Sequence, residues 1–246
     1  MHSLLEELFK TRSFISNEGK NIQIHSETSR DQCIFLQKII SENNFKKSIE
    51  IGFAYGISTL AIIEAITKNG GIHVAVDKFE KTDWEGIGLD IISQAGYKYH
   101  LEFIEEFCYF ALPGLLEANR QFDFAYVDST KQFDWLLIDF FYIDKLLSIH
   151  GVIVFDDVDF PGINKLVRFI LSLPNYKIYA ACSPVKAKIS KKKKQLLSVL
   201  KYIPKVMNCL SIEIQNTDDD LGINYRCLAV IKTADDERNW DWHKNF

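Results

Sequence analysis

The chain has 246 residues, 47% apolar, 25% charged and 13% aromatic, with 12 Gly and 5 Pro, a composition that excludes a disordered or fibrous protein. A formal net charge of −4 and a sequence pI near 5.9 argue against wholesale nucleic-acid binding, RNA methylation included, and leave room only for a local basic patch. The longest apolar stretch, Trp135–Ile149, is broken by Asp139, Asp144 and Lys145, and Met1–Lys10 has no basic-then-apolar leader pattern. A cytoplasmic protein without a transmembrane segment is therefore expected.

Residues 1–46 hold two helical stretches, Ser3–Arg12 and Thr28–Ser41, the second with Thr28, Ser29 and Asp31 at its start. They are expected to form an N-terminal helical cap. From residue 47 the pattern changes to short apolar runs, Lys47–Gly52, Ile72–Asp77, Tyr99–Ile104, Phe122–Asp128 and Gly151–Asp156. Between and after them lie segments of helical spacing: Ile57–Lys68, Glu85–Ala95, Phe107–Ala118, Gln132–Ser148 and Pro161–Leu173. Strands alternating with helices mean βαβ units with right-handed crossovers, hence a doubly wound α/β sheet with helices on both faces. Tyr176–Cys182 and Tyr225–Lys232 close the pattern as a hairpin, which predicts a mixed sheet of seven strands with the last strand antiparallel. The hairpin carries a lysine-rich insertion, residues 183–224. Five cysteines (Cys33, Cys108, Cys182, Cys209, Cys227) form no C-x-x-C pair and read as reduced thiols.

The first parallel strand and its turn read Glu50-Ile-Gly-Phe-Ala-Tyr-Gly-Ile-Ser58. A glycine turn from strand to helix lets a ligand approach the backbone, beside free N–H groups of the helix N-terminus. The G-x-x-x-G spacing, with Ala54 where a dinucleotide fingerprint has its second glycine, disfavours pyrophosphate. Asp77 ends the second strand, where such sheets grip ribose hydroxyls. Taken together, these features resemble class I S-adenosylmethionine-dependent methyltransferases over roughly residues 45–232. The resemblance implies that Glu50, Gly52, Phe53, Ala54, Gly56 and Ser58 line the methionine part of S-adenosyl-L-methionine. It also implies that Asp77 holds the ribose and that Trp84 and Glu106–Cys108 meet the adenine.

Two strands end in acids: Asp128 in Val127-Asp128-Ser129-Thr130-Lys131, and Asp156-Asp157 after Phe155. Adjacent parallel strands lie ~4.8 Å apart, so these carboxylates converge, and they repel one another unless a cation or protons compensate. Oxygen ligands of this kind suit Mg²⁺ or a similar hard divalent cation. This part is similar to the cation-dependent small-molecule O-methyltransferases of the catechol and caffeoyl-CoA type, whose D-x-x-K and D-N motifs match Asp128, Lys131 and Asp156. Asp157 stands where that family has Asn. The resemblance implies metal ligation by Asp128, Asp156 and Asp157, with Asp128 also catalytic and Lys131 as the base, its pKa depressed by burial and a neighbouring cation. The alternative structural roles are an N-cap by Asp157 or Asp159 for the Pro161 helix, and a Lys131–Asp134 salt bridge.

The expected function is O-methylation of a small-molecule or glycan acceptor, in a chain that could pair as a homodimer. The lysines and apolar residues of Lys186–Lys205 fit either weak contact with an anionic surface or a helix packed on its own domain. Two other functions remain open: a nicotinamide-dependent oxidoreductase, and a non-catalytic scaffold docking an anionic partner through the basic insertion.

Overall fold

The computed structural model describes residues 1–25, 28–185 and 215–246. Helix α1 (Ser3–Thr11) leads into a small antiparallel hairpin, β1 (Ser13–Ile15) and β2 (Asn21–Gln23). Helix α2 (Arg30–Asn43) follows, its first turn closed by a capping box in which Ser29 and Gln32 satisfy each other's backbone N–H. The N-terminal segment is therefore helix, hairpin and helix rather than purely helical. The three-residue strands are too short to alternate visibly in sequence. Leu5 and Leu8 share one core cluster with Leu60, Ile63, Ile91 and Ile92, so this segment packs into the body of the fold.

The body runs β3 (Lys47–Ile51), α3 (Ile57–Lys68), β4 (Ile72–Val76), α4 (Ile87–Gln94), β5 (Leu101–Ile104), α5 (Cys108–Glu117), β6 (Phe122–Val127), α6 (Phe133–Leu146), β7 (Leu147–Phe155) and α7 (Pro161–Ser172). Strands β8 (Tyr176–Pro184) and β9 (Tyr225–Lys232) complete a seven-stranded sheet of order β5-β4-β3-β6-β7-β9-β8. The pairs from β5 to β7 are parallel, and β9 runs antiparallel to both β7 and β8. The expected mixed sheet with an antiparallel last strand is present, and that strand lies inside the hairpin's edge partner β8. Strand β7 begins four residues before the expected Gly151, because Leu147 pairs with Phe122 ahead of a register shift.

Alternation along the central strands builds the two faces. Ala125, Val127, Ile153 and Phe155 enter a cluster with Leu112, Leu136, Phe140 and Leu166 of α5, α6 and α7. Phe124, Tyr126, Val152 and Val154 face Leu36, Ile40, Ile62 and Ile66 of α2 and α3. Both faces are covered, as a parallel sheet requires. The carboxyl ends of β3, β4, β6 and β7 are thereby gathered at one edge. Of the insertion, 186–214 lies outside the described residues, and the expected role of Lys186–Lys205 lies there with it. No helix among the described residues is long and apolar enough to cross a membrane.

Candidate active site

Strand β3 ends in a turn that only glycine permits at residue 52. Gly52 has φ 94°, and a β-carbon there would lie 2.2 Å from the Asp128 carbonyl oxygen. Asp77 fastens the turn: its Oδ2 accepts from the N–H of Phe53 at 2.8 Å and of Ala54 at 3.2 Å. Its Oδ1 accepts from Phe79 N–H at 2.8 Å. Ala54 is held at φ 46°, a left-handed conformation for a residue with a side chain, and Gly56, at φ 66°, starts α3.

Above this turn is a cavity of about 300 Å³, a size suited to a small molecule. Gly52, Ala54 and Asp77 form one wall; Trp84 and Glu106–Cys108 form another; Asp128, Ser129, Thr130 and Trp135 form the third. A pit of about 30 Å³ on the other flank of the turn touches Thr28, Phe53, Ser58 and Asp128. The structure thus brings Gly52, Ala54, Asp77, Trp84, Glu106 and Cys108 to one cavity, and Phe53 and Ser58 to the adjoining pit.

Glu50 and Gly56 are placed elsewhere. Glu50 is wholly buried, accepting from the hydroxyls of Ser58 and Thr59 and meeting His73 Nε2 at 3.2 Å. His73 in turn meets Ser48 Oγ at 2.8 Å. Neither Glu50 nor Gly56 is brought to the cavity wall: Glu50 braces β3 against α3 and β4, and Gly56 lets the backbone turn into α3. Phe53 points largely into the core, its ring 5.0 Å from that of Phe103.

Asp128, Asp156 and Asp157 converge, each with one carboxylate oxygen within 4.8 Å of the others'. Asp156 is the buried member. Its Oδ1 accepts from Gln32 Nε2 and, at 2.8 Å, from Asp157 N–H, while Tyr126 Oη reaches its Oδ2 at 3.3 Å. Burial, and then repulsion by Asp128 and Asp157, pushes its pKa up to about 7. Lys131 Nζ bridges Asp128 Oδ1 at 2.8 Å and Asp157 Oδ2 at 2.9 Å. Arg226, from the start of β9, places Nε 3.0 Å from Asp157 Oδ1.

Of the two expected causes of a depressed Lys131 pKa, burial is present. Burial does lower it, but Asp128 and Asp157 together outweigh burial and raise it, so Lys131 stands as an ammonium. Lys131 does not take the Asp134 alternative, and the residue at the N-cap of α7 is neither Asp157 nor Asp159. Phe160 caps α7 without a side-chain bond, and Lys131 pairs with Asp128 and Asp157.

Three carboxylates at this spacing fit a hard divalent cation, because ligands opposite one another across an ion with ~2.1 Å bonds lie ~4.2 Å apart. Several residues at the site escaped sequence reasoning. Gln32 was not singled out in the sequence, and nothing local signals its reach to Asp156, 124 positions away. Trp135, whose ring meets Tyr109 edge-on at 5.4 Å, and Arg226 carried no motif.

Comparisons with known proteins bear on the same part of the chain. Residues 49–158, which include Gly52, Asp77, Asp128 and Asp156, match the family model described as a methyltransferase domain. Over those residues the chain is similar to a methyltransferase domain. The chain is 29% identical over 170 residues to the caffeoyl-CoA O-methyltransferase of Populus kitakamiensis, covering 66% of each chain. It is 30% identical over 128 residues to the tapetum-specific methyltransferase 1 of Arabidopsis thaliana, covering 52% of this chain and 53% of that protein. The matched segments span between half and two thirds of the length of these curated relatives. In fold, the chain is similar to the O-methyltransferase of Bacillus cereus solved in complex with SAH, with TM-score 0.63, 19% identity, and 94% of this chain and 92% of that chain covered.

Proposed function

We propose that the chain transfers the methyl group of S-adenosyl-L-methionine to a hydroxyl of a small molecule, with Mg²⁺ or a similar divalent cation at Asp128, Asp156 and Asp157. One observation carries this reading: Asp128 lies on the wall of the cofactor-sized cavity and is also a member of the acidic cluster, so donor and acceptor sites adjoin. Gly52 and Ala54 would admit the methionine part of the donor, and Asp77 has lone pairs left for ribose hydroxyls. Trp84, Glu106 and Cys108 would border the adenine. A sugar hydroxyl satisfies the same chemistry as a phenolic one.

In the reaction the acceptor oxygen attacks the methyl carbon, the carbon–sulfur bond breaks, and the sulfonium leaves as the neutral thioether of S-adenosylhomocysteine. Alignment and exclusion of water supply much of the acceleration. A divalent cation bound here would lower the pKa of the acceptor hydroxyl. It would also offset the carboxylate charge that keeps Lys131 protonated, so that Lys131 could release its proton to solvent and, as a neutral amine, take the hydroxyl proton. The caffeoyl-CoA O-methyltransferase similarity supports the choice of oxygen as the acceptor atom.

The experiment is label transfer from S-adenosyl-L-methionine carrying a radioactive methyl group to a panel of catechols and sugars, in Mg²⁺ and in EDTA. Label in a hydroxylated acceptor, lost in EDTA, is the expected result. Equal transfer in EDTA removes the metal from the reaction, and no transfer to any acceptor contradicts an O-methyltransferase.

A further inference from the structure

The acidic cluster holds one more carboxylate than the D-N motif of the similar cation-dependent enzymes, and the structure shows what accompanies it. Asp157 has each oxygen facing a cation, Oδ2 toward Lys131 at 2.9 Å and Oδ1 toward Arg226 at 3.0 Å. The Asp157 backbone lies in the left-handed region at φ 54°, a conformation that costs free energy in a non-glycine residue and persists only where its surroundings impose it. Those surroundings include β9: Val158 N–H donates to the Arg226 carbonyl at 2.8 Å, and Asp157 N–H donates to Asp156 Oδ1. Asp157 and Arg226 are thus set against each other by the backbone on either side of their ion pair.

The orientation of the guanidinium is informative. An arginine whose whole task is to neutralise a carboxylate attains most by a bidentate fork. Arg226 instead approaches Asp157 and Asp156 through Nε, at 3.0 and 3.7 Å, and its side chain remains 47% exposed. Among the described residues nothing engages its two terminal nitrogens. They are donors beside the acidic cluster, where the start of β9 lies against the carboxyl end of β7. A bound divalent cation would offset much of the negative charge that Asp156, Asp157, Asp128 and Asp159 place around Arg226.

We propose that Arg226, anchored by Asp157, is a specificity-determining residue that grips a carboxylate or phosphate group on the hydroxylated acceptor. On this view Asp157 has two tasks, facing the cation site with Asp128 and Asp156 and anchoring Arg226. The inference rests on the methyltransferase reading above and narrows its acceptor to an anionic hydroxy compound.

The test is a calorimetric titration of the full chain saturated with S-adenosylhomocysteine in Mg²⁺ buffer, using two probes that differ only in charge, 3,4-dihydroxybenzoate and 3,4-dihydroxybenzyl alcohol. The native chain should bind the carboxylate about tenfold more tightly or better, the scale of one charge-assisted contact. Arg226→Gln should abolish the preference and leave S-adenosylhomocysteine affinity within about twofold of native, which also controls for folding. Arg226→Lys should keep part of the preference. Equal binding of the two probes, binding of neither, or a preference that survives Arg226→Gln overturns the proposal. Absence of S-adenosylhomocysteine binding by the native chain instead overturns the cofactor reading beneath it.

Discussion

Gly52 and Asp128 touch through their backbones: the space a β-carbon would need at residue 52 is taken by the Asp128 carbonyl oxygen, 2.2 Å away. This contact joins the turn after β3 to the end of β6, and so ties the cofactor cavity to the acidic cluster. Gly52→Ala adds both a left-handed strain and this clash, and should destabilise the fold by ~2–4 kcal/mol. Thermal unfolding with and without S-adenosylhomocysteine checks it. Stability and ligand response equal to native would mean that the turn tolerates a side chain and has no close approach to protect.

Asp77 serves the turn before it serves any ligand, because three backbone N–H groups already point at its carboxylate. Asp77→Asn removes the charge and puts an amide in place of one acceptor oxygen. Hydrogen bonds to charged groups contribute ~1.5–3 kcal/mol. A fall in S-adenosylhomocysteine affinity of roughly tenfold or more is expected, together with a lower unfolding temperature. An unchanged affinity would place the ribose elsewhere.

Gln32 works at both ends. Its Oε1 caps α2 at Ser29, and its Nε2 holds Asp156. Partners behind a metal-binding carboxylate typically govern affinity by 10- to 100-fold. Gln32→Met should therefore weaken Mn²⁺ or Mg²⁺ binding by about tenfold in calorimetry, since Asp156 loses its orienting donor. Divalent affinity equal to that of the native chain would confine Gln32 to helix capping.

Glu80 gives a pH dependence whose sign is fixed. It is fully buried, and burial, with a smaller contribution from Asp77, pushes its carboxyl up to about 8 from an ordinary value of 4.5. Below pH 4.5 it is protonated folded or unfolded. Between that value and about 8 only the unfolded chain ionises, so stability falls as pH rises, with a slope of ~1.4 kcal/mol per pH unit across that window. Asp156, pushed up to about 7, acts in the same direction. Glu80→Gln stays neutral in both states and keeps an acceptor for Leu89 N–H, so it should be more stable than the native chain at pH 8.5 relative to pH 5.5. Denaturant unfolding at the two pH values measures the difference, and a difference independent of pH would contradict the account.

Much of the fold was legible because the signals are local. Ile57–Lys68 and Tyr225–Lys232 begin and end where periodicity and flanking residues place them. The site was legible where chain position does the chemistry. Asp77, Asp128 and Asp156 follow directly on strand ends, and a parallel sheet brings such residues together without further information. What could not be read depends on contacts between distant segments. Glu50 stands in the motif like a ligand-facing residue, yet its strand position aims it into the hydroxyls of Ser58 and Thr59. The protonation of Lys131 is favoured by Asp128 and also by Asp157, 26 positions later in the chain, and Asp157 is in turn matched by Arg226 on an antiparallel strand. No spacing rule encodes these pairings.

The central claim, that the cavity over Gly52 and Asp77 binds S-adenosylmethionine beside a divalent site, is tested most directly by calorimetric titration with S-adenosylhomocysteine in Mg²⁺ and in EDTA. Saturable binding at one site per chain in Mg²⁺, weakened by Asp77→Asn, is the predicted result. Absence of binding in both buffers by folded protein would contradict it.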